Sequence, residues 1–190
     1  MGFCKIWCFT SKLVKKLMNE AKYSDNFNEF WDIYNAQLKK IGVKKRRDTL
    51  TKGEFHLVVG VFIFDDNNCV LLQKRTLSKL NNPGKWQESA GGSVLSGESI
   101  YMAASREVCE ELGINLRIED DNFFFKEIRE SWITFWFVVT MQLDINKLII
   151  QKTEVDKVEF FEITKAIELL KNKGIDNTWE RLKLISQMDN

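Results

Sequence analysis

Five side chains in one short stretch have the types and spacing to do chemistry together: Glu98, Arg106, Glu107, Glu110 and Glu111. Ser99 to Leu112 carries good helix formers, Ala104, Val108 and Leu112 recur every four residues, and Gly113 is placed to end a helix. On that helix Glu107 lies one turn from both Glu110 and Glu111, so three carboxylates share a patch while the apolar residues point elsewhere. Like charges at this spacing repel unless a cation lies among them. Carboxylate oxygens are hard ligands suited to Mg2+ or Mn2+, which retain waters and share their remaining positions with substrate phosphates. Such an ion neutralises a diphosphate and brings the pKa of a bound water toward neutrality. Glu98, just before the helix, can reach the same ion, so the expected metal ligands are Glu98, Glu107, Glu110 and Glu111. Arg106, four residues before Glu110, is placed to pair with a carboxylate and orient it.

The elements that must position this helix are strands. His56 to Phe64 reads as a buried strand, Asp65 to Asn68 as a polar turn and Cys69 to Arg75 as the returning strand of a hairpin. The single proline, Pro83, lies in Asn81-Asn82-Pro83-Gly84, a loop signal that separates the hairpin from a short strand over Trp86 to Ala90. After the helix, Phe123 to Ile128 and Trp132 to Leu143 are rich in aromatic and β-branched residues, and Lys157 to Ile163 alternates. Thr164 to Lys173 and Thr178 to Met188 have helical patterning. The expected fold class is α/β, with no internal repeat.

Composition narrows the function. A chain of 190 residues with 44% hydrophobic content is sized for one core. With 28 basic and 27 acidic side chains the net charge is +1, so no global field draws the protein to a nucleic-acid polymer or an anionic membrane. Four scattered cysteines (Cys4, Cys8, Cys69, Cys109) and one histidine, His56, give neither a zinc site nor a disulfide framework. The apolar patch Ile6-Trp7-Cys8-Phe9 is too short for a signal-peptide core or a bilayer span, so a cytoplasmic protein is expected. Lys12 to Lys22, with Leu13, Val14, Leu17 and Met18 at helical spacing, is a basic amphipathic segment. The expected division is a basic extension over residues 1–28 and a catalytic domain over residues 29–190. The run Lys44-Lys45-Arg46-Arg47 reads as a solvated turn or strand end, having no interleaved aromatics.

The stretch from Gly92 to Ile114 resembles the box of the Nudix superfamily, Gly-x5-Glu-x7-Arg-Glu-U-x-Glu-Glu-x-Gly-U with U apolar. Every defined position is matched, by Gly92, Glu98, Arg106, Glu107, Val108, Glu110, Glu111, Gly113 and Ile114. The resemblance implies an α/β/α sandwich with a mixed central sheet and a loop-helix-loop box. It also implies metal-dependent hydrolysis of a small-molecule diphosphate, a nucleoside diphosphate derivative or nucleoside triphosphate, by water attack at phosphorus. By the same resemblance Glu107, Glu110 and Glu111 are catalytic metal ligands, Glu98 is auxiliary, Arg106 orients, and Glu154, in a later loop, is a candidate general base. Lys74 and Arg75, at the end of a strand near the box, are expected phosphate contacts, and Gly92 joins them on the substrate side. Glu88 is placed to approach the metal or to accept a hydrogen bond from a base edge. Homodimers are frequent in such families.

Outside the box, His56-Leu57, Gln73-Lys74-Arg75, Pro83-Gly84-Lys85-Trp86 and Ala90-Gly91-Gly92 resemble a bacterial branch akin to the type I isopentenyl diphosphate isomerases. Those isomerases use a catalytic cysteine and several histidine ligands. The comparable segment here, Trp86 to Gly92, has neither residue type, which favours hydrolysis. A non-catalytic nucleotide-binding regulatory module would be marked by lost box glutamates, and none is lost.

Overall fold

The computed structural model describes residues 26–187. The basic amphipathic segment expected over residues 12–22 lies outside the described residues. An antiparallel ribbon comes first, β1 (Phe30–Tyr34) and β2 (Lys40–Lys45). Its signal in the sequence is weak because β2 is exposed and polar over most of its length; Trp31 and Ile33 of β1 carry the burial. The basic run does end a strand, and two of its four charges are paired nearby: Lys44 with Glu54, and Arg46 with Glu29 at 3.2 Å.

The main sheet has seven strands: β3 (His56–Phe64), β4 (Cys69–Arg75), β5 (Trp86–Gln87), β6 (Ala90–Ser93), β7 (Phe123–Ile128), β8 (Trp132–Thr140) and β9 (Val155–Glu162). The β3–β8 pair is parallel, in register from His56 opposite Trp132 to Phe64 opposite Thr140, and every other pairing in the sheet is antiparallel. The expected strand over Trp132 to Leu143 stops at Thr140 because its partner β3 stops at Phe64; one more bond, from the Met141 amide to the Phe64 carbonyl, closes the ladder.

The β3–β4 hairpin is shorter as a ladder than its two strands. The strands pair at Ile63–Leu71 and Phe64–Val70 and then separate. Beyond that fork β3 takes β6 as its neighbour, β4 takes β5, and Glu88-Ser89 links the two inserted strands. The single strand expected over Trp86 to Ala90 is therefore two strands on opposite arms. Ser89 holds the fork: its hydroxyl accepts from the Ile63 amide at 2.8 Å and donates to the Leu71 carbonyl at 2.5 Å. Both backbone groups are thus satisfied where the ladder fails.

Helix α1 (Ile100–Leu112) covers one face of the sheet, burying Ala104, Val108 and Leu112 against Leu57, Val59, Val61 and Ile63. Ser99 caps it, accepting from the Met102 amide at 3.2 Å, and Gly113 ends it at φ 70°, a left-handed conformation that costs glycine nothing. Helices α2 (Ile163–Lys173) and α3 (Thr178–Ser186) cover the other face with Ala166, Leu170, Leu182 and Ile185 against Phe62, Phe64, Val70 and Leu72. The result is an α/β/α sandwich on a mixed sheet.

Candidate active site

The site grows from the carboxylate-bearing side of α1. Glu107 and Glu111, one turn apart, point at the β6 arm of the fork and are 9% and 2% exposed. Glu111 is fixed by two donors on one oxygen: the Gln73 side-chain amide at 2.8 Å and the Gly91 backbone amide at 2.9 Å. Glu107 lies directly against Gly92, where a Cβ atom would occupy the space of its carboxylate. Burial raises the pKa of Glu107 to about 7, against the pull of Arg106, with the charges of Glu110 and Glu154 adding to the rise. Burial and the neighbouring Glu107 charge also push Glu111 well above the ordinary carboxylate range.

Arg106 is the hub of the box. Its guanidinium donates to Glu98 at 2.8 and 3.1 Å, to Glu107 at 2.8 Å, to Glu110 at 3.0 Å and to the Ser93 carbonyl at 3.1 Å. Burial works against its charge, yet the bonds to Glu98 and the charge of Glu107 hold it more firmly protonated than usual. Glu98, the expected auxiliary ligand, is bound to Arg106 in this arrangement. Both Glu98 oxygens are engaged by Arg106, one also accepts from the Leu95 amide at 3.1 Å, and the residue faces the groove on the far side of Arg106, outside the cleft of Glu107. In this structure Glu98 anchors Arg106.

A cleft of about 460 Å³ runs from Glu107 and Glu110 over Gly91 and Gly92. Arg75, Lys79 and Glu154 stand on its other wall. Strand alternation decides which residues of β4 reach it: Gln73 and Arg75 point to the α1 side, whereas Lys74 points to the α2 side and pairs with Asp156 at 2.8 Å. Of the two expected phosphate contacts, Arg75 lines the cleft and Lys74 lies on the opposite face of β4. Lys79, from the loop after β4, is in the cleft instead, only 4% exposed and paired with Glu154 at 3.1 Å. A lone lysine in a polar loop gives no periodic signal, so the sequence did not mark it. Gln73 was more legible, as a polar residue inside an apolar strand. Arg75 is held by the Gln87 side chain at 3.0 Å and the Asn81 carbonyl at 3.1 Å. Glu88, at the fork, also lines the cleft.

Among the described residues no three acidic, histidine or cysteine side chains are already closed into a ligand cage. The donor set nevertheless suits a divalent cation: its atoms are hard carboxylate oxygens, two of the carboxylates are buried with raised pKa values, and Gly92 leaves a cradle in which one of them sits. Neither cysteine nor histidine lines the cleft.

A carboxylate-bearing helix seated by a glycine strand at the fork of a sandwiched mixed sheet defines a class of hydrolase. The chain belongs to the Nudix family, whose NUDIX domain model matches residues 54–182. It is 37% identical over 149 residues to an uncharacterized Nudix hydrolase of Listeria monocytogenes, covering 77% of this chain and 86% of that one. An isopentenyl-diphosphate Delta-isomerase of Streptomyces griseus is 40% identical over 63 residues, 33% of this chain and 32% of the isomerase. The crystal structure of a Deinococcus radiodurans protein, DR0079, superimposes with a TM-score of 0.65 at 19% identity, over 82% of this chain and 98% of the other. The matched domain begins after β1 and β2, which leaves the ribbon outside it. No helix among the described residues is long and apolar enough to cross a membrane.

Proposed function

We propose that the protein hydrolyses the diphosphate linkage of a nucleoside diphosphate derivative or nucleoside triphosphate by water attack at phosphorus. The observation that carries this reading is one cleft with Glu107 and Glu110 on one wall and Arg75 and Lys79 on the other. Glu107, Glu110 and Glu111 would hold Mg2+ or Mn2+, which supplies charge neutralisation at the diphosphate and a water acidic enough to deprotonate near neutral pH. Arg106 ties Glu107 and Glu110 to the anchored Glu98, so their carboxylates are oriented before substrate arrives. Gln73 and the Gly91 amide do the same for Glu111.

Arg75 and Lys79 receive phosphate oxygens, and Arg75 is preoriented by Gln87 and Asn81. Glu154 is the proposed base. It stands in the same cleft, with Lys79 fixing its carboxylate, and accepts the proton of the attacking water. Isomerisation in place of hydrolysis has no support in the cleft, where Gly91 and Gly92 occupy the strand before the box.

The test is turnover of a panel of nucleoside diphosphate derivatives, nucleoside triphosphates and prenyl diphosphates with Mg2+ or Mn2+, read by phosphate release and product mass. On the best substrate Glu111→Gln is expected to lower kcat by about a hundredfold or more, the scale of removing one preorganised electrostatic group. Full divalent-dependent turnover in that variant, or allylic isomerisation without phosphate release, overturns the reading.

A further inference from the structure

Asp32 is a charged residue in the middle of β1, between Trp31 and Ile33, and only 7% exposed. A carboxylate withdrawn from water is costly unless donors meet it. Two of its donors come from the loop that opens the box: the Ser96 hydroxyl at 2.6 Å on one oxygen and the Gly97 amide at 3.2 Å on the other. The third is Lys40 of β2, at 2.7 Å. Burial raises the pKa of Asp32, but the bonds from Lys40, Ser96 and Gly97 outweigh it and hold the carboxyl below its ordinary range.

The loop that Asp32 grips is a tight turn over Leu95 to Glu98, closed by a bond from the Glu98 amide to the Leu95 carbonyl at 3.0 Å. Each of its four backbone amides has an acceptor. The Leu95 amide donates to the Glu98 carboxylate at 3.1 Å, the Ser96 amide to the Phe30 carbonyl at 2.8 Å, and the Gly97 amide to Asp32. β1 therefore holds two of the four amides and a hydroxyl. From the turn, Glu98 binds Arg106 through both oxygens, and Arg106 binds Glu107 and Glu110. A continuous chain of bonds thus runs from Asp32 to the carboxylates of the cleft. The ribbon is also tied elsewhere: Tyr34 and Phe55 exchange amide–carbonyl bonds at 2.8 Å, and Trp31 stacks on His56.

We infer that Asp32 is a positioning residue for the box: it fixes the Leu95–Glu98 turn from outside, so that Glu98 holds Arg106, and Arg106 holds Glu107 and Glu110, in a preset geometry. This rests on the reading of those carboxylates as catalytic metal ligands. Asp32 does not line the cleft, so it acts through the turn. The matched family domain begins at residue 54, which makes this a support supplied from outside it. The β1–β2 ribbon is then part of the scaffold of the site. Bonded supports of a ligand set typically cost about ten- to a hundredfold in affinity or activity when removed, because the ligands they orient are no longer held ready.

The test uses the full chain and three readouts: protection of the Arg106 Nε–H from exchange with water by NMR in metal-free protein, Mn2+ affinity, and kcat on the best substrate. The Arg106 signal is assigned by its disappearance in Arg106→Lys. Asp32→Ala is expected to lose that protection, and to weaken Mn2+ binding and lower kcat about tenfold or more each, with KM changing less. Ser96→Ala removes one donor from the turn without touching the ribbon. It is expected to shift all three readouts the same way by less, and it carries the comparison if Asp32→Ala does not fold. In a Glu98→Gln background Asp32→Ala is expected to add little, because the link it works through is already broken, whereas a ribbon that only stabilised the fold would cost the same in both backgrounds. Unchanged Arg106 protection and Mn2+ affinity in both Asp32→Ala and Ser96→Ala, or equal losses with and without Glu98→Gln, overturns the inference. Loss of Arg106 protection in Asp32→Ala, in a protein that cleaves no substrate of the panel, would sink the hydrolase reading and leave the inference standing.

Discussion

At the residue scale, the site depends on placing negative charge where protein alone would disfavour it. Glu107 and Glu111 are buried within one turn of each other, and their raised pKa values express that cost. Gly92 shows how tightly the geometry is set. The space that a methyl group would fill is occupied by the Glu107 carboxylate, so Gly92→Ala must displace that carboxylate. Because a displacement of about 1 Å at reacting groups can cost on the order of a hundredfold, kcat on the best substrate should fall by about that factor. Gly42→Ala is the control, since a Cβ there meets nothing within 4 Å, and its turnover should equal that of wild type. Steady-state kinetics on the two variants, with circular dichroism to establish folding, checks both outcomes. The residue types of this site were legible in the sequence as a box of fixed offsets. Their pairing was not: in three dimensions Arg106 bonds both oxygens of Glu98, a contact that spacing alone does not show.

At the element scale, the fork between β3 and β4 makes the cleft. A continuous hairpin would have left no room for β5, β6 and the Glu88-Ser89 link between them. Ser89→Ala strips the Ile63 amide and the Leu71 carbonyl of a shared buried partner. The expected loss is about 1–3 kcal/mol, read as a lower denaturant midpoint with an unchanged slope. Strand parity gives a second test. Lys74 and Arg75 are neighbours in sequence but lie on opposite faces of β4, so Lys74→Met should leave kcat/KM unchanged, whereas Lys79→Met should lower it about tenfold or more through loss of a charged contact. Equal kinetic effects of the two would contradict the assignment of faces. Hydrophobic periodicity found these strands, but it did not show which arm of a fork each short segment joins, because β5 and β6 pair with strands distant in the chain.

At the scale of the whole molecule, two buried titrating groups pull stability in opposite directions with pH. Glu107 has an ordinary value of 4.5 when unfolded and about 7 when folded. Between those values the folded chain keeps a proton that the unfolded chain has released, so this contribution is present at low pH and fades as pH rises through about 7. His56, stacked on Trp31 at 4.0 Å, is pushed down from 6.5 to about 4 by burial and the nearby Arg46 charge. Its contribution is present above pH 6.5 and is lost as pH falls toward 4. Thermal melts in chelator from pH 4 to pH 8 should therefore show that Glu107→Gln removes destabilisation on the alkaline side and His56→Phe removes it on the acid side. Added Mn2+ should raise the melting temperature of wild type most near pH 8, where the carboxylates are charged and ready to bind it.

The sequence by itself determined the family, the reaction class and the helix that carries the carboxylates, because those depend on residue type at short, fixed spacing and helical geometry converts spacing into proximity. Only the tertiary structure decided that Lys79 rather than Lys74 enters the cleft, that Glu98 serves Arg106, and that Glu88 meets the glycine strand at the fork. Each of these depends on strands and loops far apart in the chain coming together. Which side chain faces which space is then set by sheet pairing and burial, which no local pattern encodes.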